Sequence, residues 1–271
     1  MTFDMGRAWN DAVKILAANK DVLAIVAGVF FFLPSLALSI LAPGTELEAA
    51  AGDPDRMQAA LIAYASQFGW LFAMYVIATT VGTLTLYALL GRHHRPNVGE
   101  AIKIGFTALL PFFASSLIVG MSFVVLFLLV GLLAGATGSS AVGIILGIAL
   151  VGLFVFVSFR LILVGPIMAI EGIYNPVAAI SRSWSLIKGN TRYIIAFVIL
   201  VVLAMIIVGA VLGMMFALVG ALMGATAALW VNAILSGLLS AVMSVIMLSI
   251  YCAIHQQLAG GTSQADLETF E

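Results

Sequence analysis

Residues 141–164 read AVGIILGIALVGLFVFVSFRLILV, and Arg160 is the only charged residue in this run. A bilayer core takes about 20 apolar residues per helical crossing, so the run is long enough to span a membrane. It is too continuously apolar for a membrane strand, and in lipid its backbone groups must pair within the segment. Five similar runs occupy residues 22–41, 60–90, 107–134, 193–223 and 225–254. The sequence therefore predicts an all-α polytopic membrane protein with six transmembrane helices.

The composition of the chain agrees with this class. Hydrophobic residues make up 63% of the 271 residues and charged residues 8%, whereas soluble domains carry about 25% charged residues. We expect a single integral membrane domain over residues 1–271. The net charge of −1 gives no indication of a nucleic-acid partner, and the single cysteine, Cys252, excludes an intrachain disulfide.

The basic residues predict the orientation of the chain. Three alternate segments each hold three of the 11 Lys and Arg residues, and these are Arg7, Lys14 and Lys20, then Arg92, Arg95 and Lys103, then Arg182, Lys188 and Arg192. The loop between the first two spans is acidic and holds only Arg56. Since basic residues in short loops mark the cytoplasmic side, both termini are predicted to be cytoplasmic.

Each basic segment also has the spacing of an amphipathic helix at the membrane interface. In the first, the apolar face holds Met5, Trp9, Ala12, Val13 and Leu16, and the polar face holds Asp4, Arg7, Asp11 and Lys14. In the third, Asn175 can cap and Pro176 suits the first turn. Its apolar stripe is Val177, Ile180, Trp184 and Ile187, and Gly189 is a natural stop.

The second basic segment is shorter. Asn97 and Glu100 have the spacing of a capping box, and Gly105 is predicted to end this helix. With the other two it suggests three repeats, each a cytoplasmic-side interfacial helix followed by a two-helix hairpin, at about 1–91, 92–170 and 171–258. A polar C-terminal tail would occupy residues 259–271.

The stretch 160–192 carries a family resemblance. It reads RLILVGPIMAIEGIYNPVAAISRSWSLIKGNTR. It resembles the membrane domain found with some glycerophosphoryl diester phosphodiesterases, and related stand-alone six-helix bacterial membrane proteins. The matching positions are Arg160, Pro166, Glu171, Ala179, Arg182, Ser183, Trp184, Leu186, Lys188 and Gly189. The resemblance implies an all-helical fold in a bacterial inner membrane and implies no catalysis, because activity in the fused proteins belongs to a separate soluble domain.

Two residues are candidates for polar groups within the membrane. Arg160 lies near the inner end of the fourth span and Glu171 follows it, and ionisable groups in spans are costly and often functional. Arg160 could reach the interface with its long side chain, pair with Glu171, or contact a ligand. The pair Gly165 and Pro166 is expected to break or kink the helix here.

Other candidates lie at the level of the lipid headgroups. They are Arg7, Trp9, Lys14, Arg182, Trp184 and Lys188. The cations can attract anionic lipid or simply set the orientation, and the tryptophans are predicted interfacial anchors. The adjacent histidines His93 and His94 lack further ligands nearby, so no metal site and no cofactor are predicted.

Several small and polar residues within the spans suggest close helix packing. Among the glycines are Gly131, Gly209, Gly213 and Gly220, of which Gly209 and Gly213 have small-xxx-small spacing. The alternative is that such residues line a permeation path.

No constellation in the sequence predicts catalysis. The leading hypothesis is a non-enzymatic inner-membrane protein that engages membrane phospholipids at the cytoplasmic leaflet. The alternatives are a small-solute or lipid transporter with Arg160 and Glu171 as its polar site, and a scaffold for a membrane complex.

Overall fold

The computed structural model describes residues 3–44, 47, 49–91, 96–222 and 224–268, without the side chains of residues 221, 225, 226 and 261–268. Within these ranges all regular secondary structure is helical. The helices are α1 (Met5–Ala27), α2 (Leu33–Leu41), α3 (Pro54–Leu90), α4 (Val98–Thr137), α5 (Ser140–Arg160), α6 (Pro176–Ile187), α7 (Thr191–Leu222) and α8 (Ala225–Glu268). Two π-helical turns, Gly28–Phe32 and Ile167–Glu171, lie at the α1–α2 junction and after the short helix Val164–Pro166.

Six helical stretches of the described chain are long and apolar enough to cross a membrane. They are Met5–Leu41, Pro54–Leu90, Val98–Thr137, Ser140–Glu171, Thr191–Gly220 and Ala227–Gly260. The predicted multi-pass, all-helical class is therefore confirmed. Each stretch exceeds the roughly 20 residues that one crossing needs, so we expect the helices to tilt or to extend beyond the hydrocarbon core.

Local capping signals in the sequence fix several helix starts. Asn97 and Glu100 form the predicted capping box at the start of α4, with bonds of 2.9 and 3.1 Å. Asn175 caps α6 by accepting from two backbone N–H groups, and Pro176 occupies its first turn. α6 ends at Ile187, and Gly189 has a φ of +91°, so the predicted stop is confirmed.

The three basic segments differ from one another in structure. The first is the N-terminal part of α1, which departs from helical geometry at Asn19 and then continues as the rest of the first candidate span. The prediction that the second ends at Gly105 is wrong, because α4 continues unbroken through this residue. Gly105 is buried where α4 meets Val81 and Thr85 of α3, so packing rather than helix termination explains the glycine. Only the third, α6, is a separate helix, so the threefold repeat remains a prediction.

The fourth span breaks at its end, as Gly165 and Pro166 predict. α5 stops at Arg160, a turn follows, and a short helix restarts at Val164 with Pro166 in its first turn. A proline at this point needs no backbone N–H partner, which favours a restart over continuation. The π-helical turn then carries the chain to Glu171, and Gly172 turns it with a φ of +69° towards α6.

The buried core lies towards one end of the bundle. It includes Leu84, Leu86, Ile167 and Ile254, each 0% exposed, together with buried residues of α1, α6 and α7. The most apolar windows of the third and fourth spans contain no buried residue. Helix α8 packs against α1, α2 and α7, and α4 packs against α3 and α5, whereas α5 and α7 meet only sparsely.

The glycines predicted to favour close packing differ in their surroundings. Gly220 lies against Ala228 and Asn232 of α8, where an added Cβ would come within 3.4 Å of Ala228. Gly131 and Gly213 have nothing within 4 Å of such a Cβ, and Gly209 has only the Met243 methyl at 4.0 Å. Among the described residues, the pair Gly209 and Gly213 therefore makes no close packing contact.

Candidate functional site

Three long-range hydrogen bonds join the helix termini at one end of the molecule. The Phe3 backbone N–H donates to Asn190 Oδ1 at 2.9 Å, and Gln256 Nε2 donates to the Leu90 carbonyl at 3.0 Å. His255 Nε2 lies 2.8 Å from Glu171 Oε1. These contacts gather the start of α1 and the ends of α3 and α8 with the segment from Glu171 to the start of α7. We call this the basic end, because it holds the cations of the first and third basic segments.

Glu171 is the centre of a polar cluster at the basic end. Its Oε2 atom accepts from Arg182 Nε at 3.1 Å, and its Oε1 atom contacts His255 at 2.8 Å. The side chains of Glu171, Arg182 and His255 are 20%, 34% and 4% exposed, respectively. A charge this poorly solvated is stable only with partners, and the carboxylate has one on each oxygen. The cluster thereby ties the end of the fourth span to α6 and α8.

The chain reaches this geometry through local features. Gly172 turns the backbone directly after Glu171, and the capped start of α6 lets Arg182 face back towards it. Helix α8 continues well past the apolar run, which brings His255 alongside. Glu171 and Arg182 are among the site residues that the sequence predicts, whereas His255 is not. An ionisable residue at the end of an apolar run was the available signal for it, and its partner is 84 positions away in the chain.

Arg160 has a different set of partners from those expected. Its Nη1 atom donates to the Trp184 carbonyl at 2.9 Å, and its guanidinium lies 4.8 Å from the Trp184 ring centre and 5.4 Å from that of Phe156. Ser183 Oγ donates to the Arg160 carbonyl at 2.8 Å, which satisfies the last turn of α5. Pairing of Arg160 with Glu171 is therefore wrong: Arg160 fixes α6 to α5, and Glu171 uses Arg182 and His255.

Some buried polar atoms near these residues have no hydrogen-bond partner among the described residues. They are Arg160 Nε, His255 Nδ1, Gln256 Oε1 and Gln257 Oε1, with Thr85 Oγ1 where α3 meets α4. Buried polar atoms normally find partners. Three of them belong to consecutive residues of α8.

The remaining headgroup-level candidates are mostly exposed. Arg7 is 68% exposed and lies 3.8 Å from Asp11, while Trp9 and Trp184 are 47% and 38% exposed. Lys14 and Lys188 are also exposed, in contrast to the partly buried and paired Arg182. The predicted stripe of α6 is only partly buried: Ile187 is 0% exposed, whereas Val177 is 63% exposed and the helix turns Ala179 and Ser183 inward.

Within the described ranges, no group of three or more His, Cys, Asp and Glu side chains is placed to hold a metal ion. His93 and His94, together with Arg92 and Arg95 of the second basic segment, lie outside those ranges. The described polar groups can bind charged or hydrogen-bonding ligands.

Comparisons of the chain with protein-family models, with curated proteins and with solved structures gave no match. The resemblance of residues 160–192 to the phosphodiesterase-associated membrane domain therefore remains a prediction.

Proposed function

We propose that this chain is a non-enzymatic, multi-pass protein of the bacterial inner membrane that engages anionic phospholipid at the cytoplasmic leaflet through its basic end. The observation that carries the proposal is the grouping of exposed cations from distant parts of the chain. The bond from Phe3 to Asn190 places the first turn of α1 beside the α6–α7 turn. Arg7 on one side and Lys188 and Arg192 on the other are all exposed there.

The cations of the basic end differ in their partners and exposure, and this difference supports the assignment. Arg182 is engaged by Glu171 and serves to position α6. Arg192 lies against the Tyr193 ring, with its guanidinium carbon 4.7 Å from the ring centre, and remains exposed. Each Lys or Arg near an anionic surface contributes about 1 kcal/mol of attraction, so three grouped cations form a useful anion-binding surface. Trp9 and Trp184 are suited to anchor the same level of the bilayer.

Lipid retention by the purified protein tests this proposal. Loss of two cations at about 1 kcal/mol each corresponds to a drop of roughly 30-fold in affinity. We therefore expect the Lys188→Gln/Arg192→Gln variant to retain far less phosphatidylglycerol in native mass spectrometry than the wild-type protein. Arg56→Gln, at the opposite end of the bundle, is the control and should match wild type. Equal retention in all three proteins would contradict the proposal.

Orientation needs a separate test. Cys252 is buried, so it contributes little background to thiol labelling. In spheroplasts, a membrane-impermeant maleimide should label Ala51→Cys, which is exposed at the opposite end. Lys188→Cys should react only after the membrane is permeabilised. The reverse pattern would place the basic end outside the cell.

A second candidate function is transport of a small solute or lipid. One observation favours it: the carboxylate at the end of the fourth span contacts a buried imidazole, and intramembrane ionisable pairs commonly mark transport pathways. Substrate-dependent flux in proteoliposomes that is abolished by Glu171→Gln, in a variant that still folds, would favour this function over lipid engagement alone.

A further inference from the structure

A groove of about 380 Å³ runs along the surface of the bundle between α1 and α8. Its floor holds the buried residues Leu23, Ala27 and Ala241, and its rim holds the exposed residues Leu238 and Val242. The groove is therefore a depression that opens sideways, towards the lipid, rather than a channel through the bundle.

A π-helical turn of α1 shapes the deep end of the groove. Gly28 begins this turn, and a Cβ added there would have no described atom within 4 Å. Phe32 ends the turn, and its ring lies over Gly237 of α8, 3.3 Å from a Cβ built on that glycine. Turns of this kind inside helices are frequent at functional sites. They leave an open space at Gly28 that Phe32 bounds on its far side.

The groove has about the depth of one bilayer leaflet. Because α1 begins at the basic end and continues as the first candidate span, Leu16 and Lys20 lie at the headgroup end of the groove and Phe32 lies deepest. At 1.5 Å per helical residue, Lys20 and Phe32 are about 18 Å apart along α1. Half of a hydrocarbon core is about 15 Å. The dimensions therefore suit one acyl chain that descends from headgroup level.

Lys20 is the only charged residue among the described residues that line the groove. It is exposed and has no ion-pair or hydrogen-bond partner in the described chain. Asp21 follows it but is not part of the lining, and α8 contributes no titratable residue. Gly91 and Pro96, which precede and follow residues 92–95, border a different cavity. An unpaired cation at the headgroup end of an apolar groove is complementary to a phosphate that carries an acyl chain.

We propose that this groove binds one anionic phospholipid, with its phosphate beside Lys20 and one acyl chain along Gly28 as far as Phe32. A soluble anion would leave the apolar part of the groove unfilled, and an uncharged lipid would leave Lys20 without a counter-charge. The proposal rests on the proposed function for the anionic headgroup and for the position of the basic end at headgroup level. It adds a discrete site whose lining includes neither Lys188 nor Arg192.

Photo-cross-linking tests the position of the acyl chain. The delipidated full-length protein in detergent is loaded with phosphatidylglycerol that carries a diazirine at the end of one acyl chain, and the labelled peptides are located by mass spectrometry. We expect the label on residues 28–32 of α1 and its adjoining turn and on residues 238–246 of α8. Gly28→Leu fills the open space and should abolish this label. Gly131→Leu, the same change at an open position of α4, should label like wild type.

A second filling variant guards against misfolding. Ala24→Phe adds bulk at an exposed position of the same groove, and it should also abolish the label while keeping the unfolding temperature of wild type.

Lys20→Gln tests the headgroup contact. One lysine beside an anionic group corresponds to about a fivefold change in affinity. Unlabelled phosphatidylglycerol should therefore displace the label from wild type at about one fifth of the concentration that phosphatidylethanolamine needs. Lys20→Gln should remove this difference. Lys14→Gln, which removes the same charge elsewhere on α1, should keep it.

The proposal is overturned if the wild-type label spreads evenly over the spans, if Gly28→Leu and Ala24→Phe fold and keep the label, or if Lys20→Gln keeps the headgroup preference. The variant Lys188→Gln/Arg192→Gln separates this site from the proposed function. A label kept in that variant supports the groove, even if the variant retains as much total lipid as wild type and the cationic surface fails its own test. A label lost there would overturn the groove as a separate site.

Discussion

The basic end and the opposite end of this bundle are built from the same apolar residue types but pack in opposite ways. Leu84 and Leu86 at the basic end are 0% exposed, whereas Leu132, Leu218 and Leu222 towards the opposite end are 71%, 69% and 89% exposed. In water such exposure would be costly, but lipid tails are as apolar as leucine, so burial gives little driving force between spans. Helices therefore associate where specific contacts hold them.

Those specific contacts are concentrated at the basic end. Close glycine contacts such as Gly105 against Val81 and Thr85, and polar contacts such as Glu171 with His255, occur there. At the opposite end, Gly131 and Gly138 have no described neighbour within 4 Å of an added Cβ, and Gly220, which lies against Asn232 and Ala228 of α8, is the exception. The comparison indicates that small and polar residues, rather than hydrophobicity, determine where this protein is compact.

The sharpest way to break this contrast is Gly105→Val. A Cβ at this position would lie 2.6 Å from Thr85 Oγ1 and 2.9 Å from the Val81 carbonyl oxygen. Overpacking of this kind, against backbone, should lower the free energy of unfolding by about 3 kcal/mol. The measurement is equilibrium unfolding in mixed micelles. Gly131→Val, in the same helix but with open space around it, should leave stability nearly unchanged, and equal losses in both would contradict the comparison.

A leucine pair gives the next largest effect. Leu84→Ala removes a fully buried side chain and should lower the free energy of unfolding by about 2 kcal/mol. This value is the lower end of the range for large-to-small core substitutions, because moving an apolar side chain from lipid into the protein gains little free energy. Leu132→Ala exchanges one lipid-facing apolar group for another and should cost almost nothing. The same unfolding assay applies, and a larger loss at Leu132 would show that this surface is packed in the membrane.

Glu171→Gln tests the polar contribution. The amide replaces one carboxylate oxygen, an acceptor, by an NH₂ group that faces a donor of Arg182 or His255. We therefore expect the free energy of unfolding to fall by about 1.5 kcal/mol. Asp55→Asn, exposed at the opposite end, should change stability by about 0.3 kcal/mol or less. A double-mutant cycle with His255→Gln should show coupling, and strictly additive losses would argue that the two residues act separately.

Arg160→Lys should have the smallest effect. Lysine can keep one hydrogen bond to the Trp184 carbonyl but loses the planar contact with the Phe156 and Trp184 rings, at a cost of about 1 kcal/mol. Arg56→Lys, whose arginine is 79% exposed and pairs with Asp53, is the matched control. The same unfolding assay compares the two variants, and equal stability in both would indicate that the ring contacts contribute little.

Much of the fold could be predicted because the signals are local. The length of an apolar run predicts a span, the pair Asn97 and Glu100 predicts a helix start, and Gly165 with Pro166 predicts a break. Gly105 shows the limit of such reasoning. A glycine after a short amphipathic segment can end a helix or admit a neighbouring helix, and only the position of α3 distinguishes the two.

In the candidate site, the sequence predicts which charged residues matter but not which partners they contact. Arg160 and Glu171 stand out as charges at the end of an apolar run, and the most natural pairing by sequence distance joins them. In the folded chain Arg160 binds Trp184, and Glu171 binds Arg182 and His255. Choice of partner depends on how α6 lies across the end of α5 and on where α8 passes.

By itself, the sequence determined the membrane class, the number of spans and several helix boundaries, because each depends on residues within one segment and on the surrounding solvent. The tertiary structure alone decided which charges meet and which end of the bundle is compact. It also decided that Lys20, Gly28 and Ala241 line one groove. The physical reason is that lipid does not distinguish one apolar helix face from another, so helix positions are set by a few close and polar contacts between residues far apart in the chain.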